Sequence, residues 1–444
     1  MNAGFVCLVS ATPCFGQPTA APAPVAPAPE KRAPAPAPAR TVEEALRYDP
    51  ADPLSNLEAA DMLDRGAARG HAPRKLVVPP HACVVAQEPR RVWSKPGIAG
   101  LTALDGGFVV AGYTQTAAAP GDAGAPAAEQ VFVVHVTENG KLEPVASLPL
   151  AVPHATPRVA APGIAAGGQG VMVAYVDGAG DLFAQTLRVG AAHGGGSARL
   201  LAKGLDSRFA PAVDYSKRGA LVAYTLATTP MRAFLVRFDP RGEVYASHDV
   251  TPAAMGAAAP AFVRGSGGAL LLTADPRNGM SPIARTRLDD EGKPSPGEVV
   301  APVSMMSQPP QLSAAQASFG SYVLFSGYGS GSTTAVGLLR TAPSPGAPEA
   351  FVKGTAYGAL HHAAVALADA IVIAADSPLA PGKNPKHDLQ VAVIDAAGQG
   401  PALHVAAPGG DASHVALAAG QRDQVGFAFS APDGVYWGAL RCSH

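Results

Sequence analysis

GALVAYTLATTPMRAFLVRFDPRGEVYASHDV, residues 219–250, decides the fold because it recurs. Inside it, ALVAYT and AFLVRF are short apolar runs, and DPRG after the second run is a turn signal. The stretch reads as strand, loop, strand, tight turn, strand. Aligned on the apolar core of its first run, FVVAGY, VMVAYV, ALVAYT, ALLLTA, YVLFSG, IVIAAD and VGFAFS fall in register at Ala111, Ala174, Ala223, Leu272, Phe325, Ala374 and Ala428. The steps are 63, 49, 49, 53, 49 and 54 residues. The turn glycine gives a second register at Gly140, Gly190, Gly242, Gly292, Gly346 and Gly398, with steps of 50, 52, 50, 54 and 52. Glycine suits that place because a short β-turn needs a positive φ, and the Asp or Asn ahead of it can bond the turn's own backbone.

Each unit also opens with a short apolar strand ahead of the aligned one, as in FAPAV at 209–213 and APAFV at 259–263. Four short strands in a unit of about 50 residues is the sequence pattern of a β-propeller. The prediction is an all-β fold: one seven-bladed β-propeller of four-stranded blades over residues 80–444. The first step of 63 residues contains TAAAPGDAGAPAAEQ, read as a loop; read otherwise, the count becomes six or eight blades.

A seventh turn glycine is due about 52 residues after Gly398, beyond His444, so the last unit lacks a fourth strand. HACVVAQEPRRVWSKP at 81–96 is a strand without a unit, and the segment 83–94 is expected to complete the last blade. That closure resembles the strand exchange of WD40, kelch and many bacterial extracytoplasmic propellers. The resemblance is architectural, since no Gly-His and Trp-Asp pair recurs. Cys83 lies in the closing strand and Cys442 in the strand it should meet, which predicts a disulfide that staples the ring; the alternative is two unpaired thiols. A disulfide requires an oxidising compartment, so the protein is expected to be exported, to the periplasm, the outer membrane surface or beyond.

The segment 1–16 holds a short apolar run with no Lys or Arg ahead of it and is a weak signal or lipoprotein candidate. It is too short to span a bilayer. Residues 17–40 carry eight prolines and read as an extended Pro/Ala linker reaching about 70 Å, of the kind that tethers a domain to a membrane. In 41–70 a short helical segment is expected, with Thr41 and Glu44 as a capping box, Pro50 as a stop and Asp52-Pro53 as a restart.

The net charge of −1 gives no electrostatic reason to expect nucleic acid. GxSxG, Walker A, HExxH and EF-hand spacings are all missing from the sequence, so no cofactor or metal is expected. SAPDGVYW at 430–437 resembles the Asp-box of sialidase-type propellers with its Asp displaced by one, and it occurs once; an Asp-Gly type I′ hairpin with Trp437 packed between blades is the expectation. In a propeller the loops after second strands and before first strands share one face. Asp177, Asp275 and Asp376 end second strands, while His154, Asp206, Arg208, Gln308, His361, His362, Asp411 and His414 precede or open first strands. That face is the candidate binding surface, although three Asp at such positions also suit plain turn formers.

Two functions follow. One is a non-catalytic binding or scaffolding module of the bacterial cell envelope, a monomeric ring whose partner is a protein or a glycan. The other is a glycan hydrolase or lyase using two of the three Asp as acid and base, which requires carboxyl groups about 5–10 Å apart. With only 6 % aromatic residues, stacking platforms for sugars are scarce.

Overall fold

The computed structural model describes residues 78–443, apart from 116–128, 155–159, 169, 191–195, 254, 266–267, 277–278, 306–310, 329–334, 343–345, 354–360, 379–385 and 409. The expectations for 1–16, 17–40, 41–70, the insertion after Gln115 and Gln308 lie outside the described residues.

Seven antiparallel sheets follow one another along the chain. The first strands of the blades are Gly97–Leu104, Gly163–Gly167, Ala212–Ser216, Ala258–Gly265, Leu312–Ala317, His362–Ala366 and Ser413–Ala419. The second and third strands are apolar on both faces because each blade is sandwiched between two others, as in Gly170–Val176, where all but the first residue are buried. The fourth strands face solvent and alternate, as in Val244–Asp249. Four of the turn glycines, Gly140, Gly190, Gly242 and Gly292, sit at φ between 77° and 80°.

The aligned second-strand positions face small residues on the first strands. Gly100 lies opposite Ala111, Gly163 opposite Ala174, Ala212 opposite Ala223, Ala261 opposite Leu272, Ala363 opposite Ala374 and Ala416 opposite Ala428. Blade 5 alone breaks the rule, pairing Leu312 with Phe325. Small side chains let the first strands crowd toward the axis. A Cβ on Gly163 would sit 2.3 Å from the Pro211 carbonyl oxygen of blade 3, and one on Gly100 would sit 2.8 Å from that of Pro162 in blade 2.

The ring closes where the sequence places the closure. Cys83–Trp93 pairs antiparallel with Gly434–Cys442, with Cys83 opposite Cys442 and Trp93 opposite Val435. Cys83 and Cys442 are disulfide-bonded across 359 positions of sequence. Trp93 is buried and stacks on Phe132 of blade 1 at 4.4 Å between ring centroids, while Trp437 meets Phe108 of blade 1 at 5.7 Å.

One local expectation is corrected. The hairpin at 430–437 turns at Pro432-Asp433, with Gly434 already paired to Ala431. Proline, locked near −65°, suits the first central position of an ordinary turn, so Pro432 leads the turn, and with proline there it cannot be type I′. The Asp433 carboxylate instead accepts the Tyr436 hydroxyl at 2.8 Å. In blade 6 the fourth strand is split into Gly398–Gln399 and Leu403–Val405. Pro401 between them has no N–H for the ladder, and Gly400 is squeezed so close to the His81 carbonyl that a Cβ would lie 1.9 Å from its oxygen.

Candidate functional site: the axial mouth of the ring

At the end of the ring where the first strands begin, a cavity of about 180 Å³ sits on the axis. Every blade contributes to its wall, through Gly100, Ala160, Arg208, Ala259, Gln311, His361 and His414, with His362 beside them. Four residues singled out from the sequence, Arg208, His361, His362 and His414, therefore meet although more than 200 positions separate the first from the last. The cavity has room for about six waters at roughly 30 Å³ each, or for one small polar ring.

Two blades enter the mouth by the same irregular device. Ala259 and His414 adopt φ of 53° and 52°, and the pairing of each first strand with its second jumps there, between Ala258 and Ala261 and between Ser413 and Ala416. A left-handed backbone is costly for a residue with a Cβ, of the order of 1–3 kcal/mol. At His414 that strain turns the imidazole onto His361, ring centroids 3.7 Å apart. His361 is held from behind: the Asp376 carboxylate accepts its backbone N–H at 2.7 Å and faces its Nδ1 at 3.0 Å. The Nδ1 of His362 lies 2.6 Å from the Ser313 hydroxyl.

Burial keeps two of these rings neutral. It depresses His362 to about 3, reinforced by the charge of His361. It also holds His414 well below the usual imidazole range, again with His361 as the second cause. Nε2 of His414 is buried with no hydrogen-bond partner among the described residues. Arg208 is exposed and forks onto Asp206 at 2.5–3.1 Å. Burial pushes Asp206 up, but the bonds from Arg208 outweigh it and hold the carboxyl below its ordinary value.

The three Asp serve different backbone groups. Asp177 accepts the N–H groups of Ala179 and Asp181 at 2.9 and 3.0 Å and shapes its own turn. Asp275 accepts from Gly256 at 3.3 Å, tying down the loop that enters blade 4. Asp376 holds His361, as described. Counted from the aligned positions, Asp177 and Asp275 lie three residues beyond Ala174 and Leu272, whereas Asp376 lies two beyond Ala374. The one-residue difference matters because side chains alternate across a strand. Asp177 and Asp275 direct their N–H to Asp181 and Pro282, on the side of the third strand, and Asp376 directs its own to His361, on the side of the first.

Two further candidates stay out of the mouth. His154 donates its backbone N–H to the buried Glu129 carboxylate at 2.9 Å, and Asp411 accepts the backbone N–H of His387 at 3.0 Å. Glu129 and Gln311 were not singled out from the sequence; the only available signal was their place at the ends of strands. Among the described residues no group of three or more His, Cys, Asp or Glu is arranged to hold a metal ion.

This strand order defines a seven-bladed β-propeller closed by its N-terminal strand, with no specific family attached. No protein-family model matches the chain, and no curated protein sequence matches it. Solved structures similar to it include the leech intramolecular trans-sialidase, at 11 % identity over 78 % of this chain and 68 % of that one, TM-score 0.42. The six-bladed β-propeller lectin of Aleuria aurantia is 12 % identical over 72 % of this chain and 98 % of its own, TM-score 0.41. The endo-arabinase from Bacteroides thetaiotaomicron is 12 % identical over 66 % and 97 %, TM-score 0.37. The seven-blade assignment rests on the strand pairing of this chain.

Proposed function

We propose that the protein is a non-catalytic binding propeller of the bacterial cell envelope that takes one terminal sugar of a glycan at the axial mouth. The observation that carries this reading is the cavity walled by residues in or just before the first strand of every blade, where a strained backbone holds His414 with an unpartnered nitrogen. A sugar hydroxyl supplies the missing partner, and the alanine, proline and leucine walls take the ring's C–H face. The disulfide supports export, because such a bond persists in oxidising compartments. The use of Asp177, Asp275 and Asp376 as acceptors of backbone N–H groups argues against a carboxylate pair for glycosidic cleavage.

One observation favours a lyase reading: an imidazole oriented by a carboxylate, His361 on Asp376, is the arrangement of a general base. A glycan array incubated with the full chain and with His414→Ala tests the first reading. Binding to a defined terminal sugar, weakened at least tenfold in the variant, is expected; no binding to any glycan refutes it. Release of unsaturated products from uronate-containing glycans, lost in His361→Ala, would establish the lyase reading instead.

A further inference from the structure

The opposite end of the ring carries a second, larger cavity, of about 510 Å³, between blades 2 and 3. Its position follows from the repeat. The turns after first strands and after third strands share that end, and two successive blades bring theirs together. Arg188 follows the third strand of blade 2, Leu182–Leu187. Lys217 and Arg218 make the first turn of blade 3, and Arg241 sits in its last turn. All four line the cavity with Tyr215, whose ring packs against Gly167.

The charges there are lopsided. Against four cations the lining offers one carboxylate, Asp239. That carboxylate is already committed to the turn, accepting the N–H groups of Arg241 and Glu243 at 2.8 Å each. Lys217 pairs with Asp290, and Arg218 with Glu291 at 2.6 Å; both partners lie on the last turn of blade 4. These are exposed pairs, each contributing at most about 1 kcal/mol and open to exchange for a better anion. Neither Arg188 nor Arg241 has a carboxylate partner among the described residues. Two guanidiniums and two further cations around a concave site of small-molecule size is an arrangement that an oxyanion relieves.

We infer that this cavity binds a small organic anion, a sugar-sized ring carrying a phosphate or a carboxylate, with its charged group between Arg188 and Arg241. The guanidiniums bind the oxyanion through paired N–H groups, and Lys217 and Arg218 add charge at the rim. Tyr215 lies beneath the ring of the ligand. Burial pushes its phenol up to about 12, so it stays a neutral hydrogen-bonding group at neutral pH. The site is independent of the axial mouth, which lies at the other end of the strands.

Calorimetric titration of the full chain at low ionic strength tests this, with glucose 6-phosphate, glucuronate and glucose as ligands. At least one of the two anions is expected to bind and glucose is not, with affinity falling as NaCl is raised. The anion that binds identifies the charged group as phosphate or carboxylate. Arg188→Ala and Arg241→Ala should each weaken binding about tenfold, whereas Arg232→Ala, on the other end of blade 3 and paired with Asp249, should change it less than twofold. Gly168→Trp fills the cavity without altering a charge: Gly168 lines it, and a Cβ there meets nothing within 4 Å. That variant should abolish binding. Absence of binding by both anions overturns the inference. So does binding that survives Gly168→Trp, or that responds equally to Arg188→Ala and Arg232→Ala.

Discussion

Replacing Cys83 and Cys442 together by alanine removes the covalent closure while leaving the strands that carry it. Both cysteines are buried, so alanine brings no clash but removes two packed sulfur atoms, which the reduced protein retains. The bridge spans 359 positions. Loop-closure entropy for a ring of that size corresponds to a stabilisation of about 6 kcal/mol at most. Unfolding entropy near 2.1 cal/mol/K per residue gives about 0.8 kcal/mol/K for the enclosed chain, so Tm should fall by up to about 8 °C. Differential scanning calorimetry of oxidised, reduced and doubly substituted protein measures it. The reduced and substituted forms should both melt below the oxidised form. The reasoning fails if all three melt within about a degree, because the disulfide would then constrain nothing that strand pairing had not already fixed.

The close approach of blades 2 and 3 makes Gly163→Ala overpacked, since its Cβ meets a backbone oxygen at 2.3 Å; a loss of about 1–3 kcal/mol is expected in urea denaturation. Acidification should destabilise the ring through His362 and His414. Their folded values lie below that of a free imidazole, so the stabilisation they contribute is complete above about pH 6.5 and is lost as pH falls from there toward the folded values. Each contributes a slope of about 1.4 kcal/mol per pH unit in that range, and His362→Gln should flatten the profile of Tm between pH 6.5 and 4. His414→Gly relieves a φ of 52° that glycine adopts freely, so glycan binding should drop at least tenfold on the array while Tm is held or raised. A fall in Tm of more than about 5 °C in that variant would mean the imidazole is structural.

The blade count was legible because the period shows itself twice, in the buried second strands and in the turn glycines, and because Cys83 and Cys442 mark the two ends that meet. The mouth was half legible. His361, His362, His414 and Arg208 are polar residues at equivalent strand entries, and equivalence alone brings them together. The roles of Asp177, Asp275 and Asp376 were hidden, because they depend on which backbone N–H comes within reach and on a one-residue phase difference at Asp376. The cationic cavity was hidden for another reason. SKRG at 216–219, DPRG at 239–242 and Arg188 are unremarkable turn residues one by one, and only the packing of neighbouring blades puts their charges in one place.

The pairing of Cys83–Trp93 with Gly434–Cys442 also sets an order of events during synthesis. The strand that finishes the seventh blade is made before any blade, and its partner is made after the other six blades. At the usual 5–20 residues per second, roughly 20–70 s of elongation separate the two. Through that interval the early strand waits for Gly434–Cys442, the strand it pairs with in the finished ring, and Cys83 waits for Cys442. A chain cut short before its last hairpin therefore cannot complete the seventh blade or form the Cys83–Cys442 bridge.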